Sequence, residues 1–199
     1  GTDVTGKPVR ITSMLEFEQI FGGPFKQDFD VNVTGTVAAP SIVVTPNPGL
    51  SPYILYYQMQ MFYANGGGTC YVVSVAPYAT DVDKELLTAG LGELEKIDEI
   101  TLVNIPEIVK LDLADRKELN DAMLTHSAKM ENRFAFLDVL QYTTSVADDA
   151  SGFRDTEVGI DNLKYGASYY PRLITTMQHF YVDADVNVTT TVTEWAAYN

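Results

Sequence analysis

Three consecutive glycines, Gly66 to Gly68, sit in the stretch FYANGGGTCYVVSV (residues 62 to 75). Such a run could hold an anion, because successive backbone N–H groups can cradle a phosphate. A phosphate-binding turn, however, leads from a strand into a helix N-terminus, where the helix dipole is positive. Here the order is helix, glycines, strand, so the glycines meet the negative end of a helix. No Lys-Ser or Lys-Thr pair follows them. The pattern predicts a helix C-cap and a tight turn, with no nucleotide held there.

Other chemistries are no better provided for. Nucleophilic hydrolysis needs a base beside a nucleophile, and the only histidines are His126 and His179. His126 falls mid-helix beside an apolar stripe and His179 in TMQHFYV, which reads as a strand, so packing or a local hydrogen bond is the expected role of both. No G-x-S-x-G motif occurs. Asp98 and Glu99 precede a strand, whereas sites in open parallel sheets lie beyond strand carboxyl ends. Glu107 and Asp138 lie beyond such ends and could in principle hold a divalent cation. Their spacing does not single them out, and they read as loop residues or caps. Cys70 is the single cysteine, so no disulfide or cysteine-based metal site forms within the chain. Asn32-Val-Thr34 and Asn187-Val-Thr189 fit the glycosylation pattern but read as ordinary strand residues. No catalytic residue, cofactor-binding residue or metal ligand is assigned, and no cofactor is expected.

The bulk of the chain sets wider bounds. Its 199 residues are 46% hydrophobic and 20% charged, a globular balance with enough length for a substantial core. The net charge of −14 disfavours nucleic acid and anionic membranes, which bind through Lys and Arg. No apolar run approaches the ~20 residues of a membrane span. The opening Gly1-Thr2-Asp3, without methionine, reads as the start of an excised domain. Twelve tyrosines and nine phenylalanines exceed what the chemistry explains; most suit a core, and some suit permanent protein–protein contacts.

The elements follow from periodicity and punctuation. Residues 7 to 12 predict a strand, and SMLEFEQIFGG a helix with Ser13 as N-cap, Glu16 at the capping-box position and Gly22 or Gly23 as terminator. DFDVNVTGT alternates with period two, and SIVVT can pair with it, giving a β-hairpin insertion near residues 28–45. Next, Ser51 and Pro52 predict the start of an apolar helix that ends at Asn65 and Gly66. Strands are expected at 70 to 75, 99 to 106, 134 to 139 and 166 to 171. Helices are expected at 83 to 97, 114 to 133 and 151 to 163. FYVDADVNVTTTV reads as a partly exposed strand. No internal repeat or low-complexity tract is apparent.

Near-continuous apolar strands alternating with helices predict an α/β fold: a mostly parallel sheet with helices on both faces, in three layers. Residues 1–199 read as a single α/β domain, with 28–45 as the inserted hairpin and 176–199 as a C-terminal strand extension.

Five segments in order resemble the contractile tail sheath proteins of phages and related injection particles. They are ITSMLEFEQIFGG, with its Ser-led helix ending in Phe-Gly-Gly; the helix end Ala64-Asn65-Gly66-Gly67 followed by Cys70-Tyr71-Val72-Val73; DEITLVNIPE; KMENRFAFLDV, with Arg133, Phe134, Ala135, Leu137 and Asp138; and YGASYYPRL, similar to the family's Tyr-Ala-x-x-Tyr-Tyr-Pro signature. The likeness spans residues 7 to 173. Arg172 departs from the more usual aromatic after Pro171. The extended N-terminal arm and the C-terminal domain of the family have no counterpart, so the chain reads as a sheath subunit's central region, truncated at both ends.

The resemblance implies a mechanical, non-enzymatic role. Subunits stack as rings around a tail tube in a high-energy extended state. A baseplate signal lets them slide into a shorter, wider state that drives the tube through an envelope. The implied partners are other sheath subunits, the tail tube protein and the baseplate. The implied location is a virion tail or related injection particle assembled in the bacterial cytoplasm. Two alternatives stay open: an α/β hydrolase-like enzyme using carboxylates and a divalent cation, and an adaptor or adhesion module.

Overall fold

The computed structural model describes residues 3–78, 80–139 and 145–192. In chain order the elements are β1 (Val9–Ile11), α1 (Met14–Phe21), β2 (Asp28–Thr36), β3 (Ala39–Asn47), α2 (Leu55–Ala64), β4 (Cys70–Val72), α3 (Lys84–Glu93), β5 (Leu102–Val103), α4 (Leu113–Met130), β6 (Phe134–Asp138), α5 (Val146–Gly152), β7 (Gly166–Tyr169) and β8 (Asn187–Thr190). The fold is mixed α/β, with three small sheets. The chain forms two compact units, Gly1–Gly23 with Tyr53–Thr175 and Pro24–Pro52 with Thr176–Asn199.

The first unit holds two sheets. β5, β6 and β7 run parallel, with Val103 opposite Ala135 and Leu137 opposite Ser168. β1 and β4 form a separate antiparallel pair, Val9 opposite Val72 and Ile11 opposite Cys70. The parallel pattern therefore holds for the later strands and not for the first two. Around the parallel sheet a core gathers Leu119, Met123 and Leu124 of α4 with Val103, Ala135 and Leu137. A smaller one joins Ile11, Phe17, Met59 and Val72.

Local punctuation behaves as the residue types dictate. Ser13 Oγ accepts the Glu16 N–H at 3.2 Å. Glu16 reaches back one residue further than the usual capping box, accepting from the N–H and hydroxyl of Thr12 at 2.6 and 2.8 Å. Gly22 ends α1 at φ +92°. At the triglycine, Asn65 terminates α2, Gly66 takes φ +83°, and the Gly67 N–H returns to the Phe62 carbonyl at 2.8 Å. A Cβ on Gly67 would stand 2.4 Å from the Phe62 ring. The three glycines are a turn against an aromatic side chain.

Several boundaries differ from expectation. Ser51 and Pro52 do not start α2, which begins at Leu55 with no cap from its own sequence; the Ser51 N–H instead bonds Gln27 Oε1 at 2.8 Å. The strand at 99 to 106 shrinks to two residues, because Pro106 opens a 3-10 turn through Lys110. The helix expected at 151 to 163 lies earlier, at Val146–Gly152, widened into a π turn over Phe153–Glu157 and stopped by extended Val158. His179 lies in no strand.

In the second unit β2 is central, antiparallel to β3 and parallel to β8. The hairpin and the C-terminal strand thus share one sheet. Contrary to expectation, the chain carries an internal repeat, and its two copies meet in this sheet. DFDVNVTGT (28 to 36) and DADVNVTTT (183 to 191) agree at seven of nine positions, all but Phe29/Ala184 and Gly35/Thr190. The two copies pair with a two-residue stagger, Asp30 opposite Asn187, which keeps like faces together. Their first residues nevertheless differ in structure: Asp28 starts a strand opposite Asn47, whereas Asp183–Asp185 is a 3-10 turn. Continued pairing at that stagger would set Asp185 beside Asp28. Lys26 bridges the two carboxylates at 2.7 and 3.1 Å. Buried Gln27 closes the unit by donating to the carbonyls of Asp28 and Gly49 at 3.0 Å each.

Candidate functional site

In addition to a cleft of about 320 Å³ lined by Leu124, Leu137, Phe153 and Tyr170, the first unit holds one of about 290 Å³. Phe17 and Phe21 of α1, Tyr56 of α2, Val73 and Tyr78 beyond β4, and Leu87 of α3 line it, with Glu107 as a charged member. Glu107 is brought there by the turn that Pro106 opens after β5. Its Oε1 accepts the N–H groups of Ile54 and Leu55 at 3.1 and 2.8 Å. A carboxylate 52 residues away in sequence therefore supplies the N-terminal cap that α2 lacks, and it sits at the positive end of the helix dipole. Burial raises the Glu107 pKa above its ordinary value, outweighing the opposing pull of the Leu55 and Ile54 N–H groups.

The phenols around the cleft are engaged as well. The Tyr53 hydroxyl lies within donating reach of the carbonyls of Thr80, at 2.9 Å, and Tyr78. Tyr78 donates to the Gly23 carbonyl at 2.9 Å, and Tyr56 to Glu18 at 2.6 Å. Burial first, and the Glu18 bond second, push the Tyr56 pKa up to about 12. These groups hold backbone segments together and are not arranged as an acid, a base and a nucleophile around one reacting atom.

The other residues weighed from sequence lie apart in role. Asp138 ends β6, and burial raises its pKa against the opposing influence of Arg172. Tyr71 of β4 donates its hydroxyl to Glu99, and the Asp98 carbonyl accepts from Asn132 at 2.8 Å. Cys70 contacts the Tyr63 hydroxyl at 3.4 Å, and burial raises its thiol pKa. Asn187 donates to Asp30 at 3.1 Å. Among the described residues, no group of three or more His, Cys, Asp or Glu is disposed to hold a metal ion.

His126 is buried on α4 and meets the Arg133 guanidinium at 2.7 Å through Nε2. Arginine only donates, so Nε2 is the accepting nitrogen and the ring is neutral, with Nδ1–H facing Glu95 at 3.9 Å. Burial, then the Arg133 charge, lower the His126 pKa. Arg133 also donates to the Ile97 carbonyl, so it ties the end of α4 and the start of β6 to the turn after α3.

Sequence reasoning missed a buried polar cluster beneath α4. Arg116 pairs with Glu157 at 3.3 Å, Asn120 donates to the Glu157 carbonyl at 2.9 Å, and Asp149 accepts from Tyr170 at 2.9 Å. These residues come from three distant segments. The available signal was Arg116 and Asn120 one turn apart on the apolar side of α4, next to Leu119 and Met123.

Among the described residues, no helix is long and apolar enough to cross a membrane. No model of a known protein family matches the sequence, and no curated protein matches it.

Proposed function

We propose that the chain is part of a structural subunit of a contractile tail sheath, working through contacts with other sheath subunits, a tail tube and a baseplate rather than through catalysis. The observation that carries this reading is where the five resembling segments fall. Residues 11–23, 62–73, 98–107, 129–139 and 165–173 all belong to the first unit, and none belongs to the second. They coincide with its framework: the capped helix α1, the α2–β4 turn, and the strands β5, β6 and β7. The second unit is then an elaboration carried on that framework.

The three-layer arrangement, with helices on both faces of the parallel sheet, belongs to this proposal. So does location in a virion tail or related injection particle. The engagement of Glu107 as a helix cap favours the structural reading over a carboxylate-and-cation enzyme, since its oxygen is occupied by backbone donors. A rigid subunit with bistable contacts needs only a few kcal/mol per copy to store work across a long assembly.

The test is negative-stain electron microscopy of the natural full-length protein expressed alone. Rings or helical tubes are expected. A parent that stays monomeric across protein and salt concentrations refutes the reading.

A further inference from the structure

We propose that the second unit pairs with a second copy of this chain through the outer edge of β3, antiparallel about a two-fold axis at Val43. The inference rests on the hairpin alone and is independent of the sheath reading.

Among the described residues β3 is an edge strand, and Ile42, Val43 and Val44 are 58%, 54% and 57% exposed. The hydrogen-bond phase of the edge follows from β2. The Val33 carbonyl accepts from the Thr191 N–H at 3.1 Å, so odd-numbered residues of β2 bond toward β8 and even-numbered ones toward β3. With Asn32 opposite Val43 and Thr34 opposite Ser41, residues 41, 43 and 45 of β3 bond inward. Residues 40, 42, 44 and 46 turn their backbone groups outward. Pro40 and Pro46 occupy outward positions, where a missing N–H leaves the β2–β3 ladder intact. The outward N–H donors between them are Ile42 and Val44.

The sequence of this edge is nearly self-complementary. Read from either end, P-S-I-V-V-T-P (40 to 46) runs proline, hydroxyl, β-branched, Val43, β-branched, hydroxyl, proline. A two-fold contact is made by one patch on both partners, so it requires this property. Centred on Val43, Ile42 pairs with Val44 of the other copy and Val44 with Ile42, which makes four backbone hydrogen bonds. Ser41 meets Thr45, a favourable hydroxyl pair. Pro40 meets Pro46, and the ladder stops at both ends for want of donors.

The edge strand itself is free of charge, the carboxylates of the neighbouring β2 being Asp28 and Asp30, opposite Asn47 and Thr45. The chain carries −14, so two copies repel each other on net. Yet residues 31 to 80 contain no Asp, Glu, Lys or Arg. The β3 edge lies within that run, and interface centres are depleted of charge.

The experiment is sedimentation velocity of the full chain over a wide concentration range, with circular dichroism to check folding. A monomer–dimer equilibrium is expected. Val43→Lys sets two like charges directly opposite and is expected to weaken it about tenfold or more. Val44→Pro removes an outward donor from each copy and is expected to do the same. In a Cys70→Ser background, Val43→Cys is expected to cross-link between copies on oxidation. Ser41→Cys is not, since its thiols would lie roughly 14 Å apart along the strand at about 3.4 Å per residue. A chain monomeric at every concentration, a dimer insensitive to folded Val43→Lys and Val44→Pro, or equal cross-linking at 41 and 43 overturns the proposal.

Discussion

Replacing Glu107 tests the tertiary cap on α2. Glu107→Ala removes the one oxygen that accepts both the Ile54 and Leu55 N–H groups. A lost helix cap costs about 0.5–2 kcal/mol, and hydrogen bonds to a charged acceptor contribute about 1.5–3 kcal/mol. The site is half-buried, so water replaces part of what is lost. The expected destabilisation is about 2–3 kcal/mol, read from urea midpoints at constant slope. Glu107→Gln keeps an accepting oxygen in place and is expected to stay within about 1 kcal/mol of the parent. The pH dependence adds a second reading. Burial raises the folded pKa of Glu107 above its ordinary value of 4.5. The stability linked to this group is therefore full below about pH 4.5 and is lost as pH rises through the folded value. Glu107→Gln, which does not titrate, should gain on the parent over that rise. Equal losses for the Ala and Gln variants, or a Gln-to-parent difference that does not change with pH, would refute the reasoning.

Gly67→Val drives a Cβ to 2.4 Å from the Phe62 ring. A loss of about 1–3 kcal/mol is expected, and Phe62→Ala in the same chain should recover part of it in a double-mutant cycle, with no nucleotide binding gained or lost. His126 has a lowered folded pKa, so its stabilising contribution is complete above about pH 6.5 and is lost as pH falls through the folded value. Urea midpoints between pH 8 and pH 5 should decline on the acid side in the parent and decline less in His126→Gln.

Local punctuation was legible from residue order because it is decided within one turn of chain. Ser13 with Glu16 and Gly22, and Asn65 with Gly66, bracket helices whichever way the remainder packs. The alternation of Phe29, Val31 and Val33 announced a half-buried strand, and the order of helix, glycines and strand announced a helix end and a tight turn. The apolar run at 134 to 139 likewise announced a buried strand, realised as β6, and 166 to 171 a strand ending at Pro171, realised as the partly exposed β7.

What only the tertiary structure decided involves partners far apart in sequence. Ser51 and Pro52 look like a helix start, yet α2 begins at Leu55 because Glu107 supplies its acceptor there. Arg116 looks like a solvated helix residue until Glu157 arrives from another segment. The opening D-x-D of the repeated D-x-D-V-N-V-T pattern is strand at 28 and a 3-10 turn at 183, while the remainder pairs as strand in both copies. Composition and short-range pattern determine which segments fold and where they stop. Pairing, capping at a distance and charge burial depend on which segments meet, and that is a property of the folded chain.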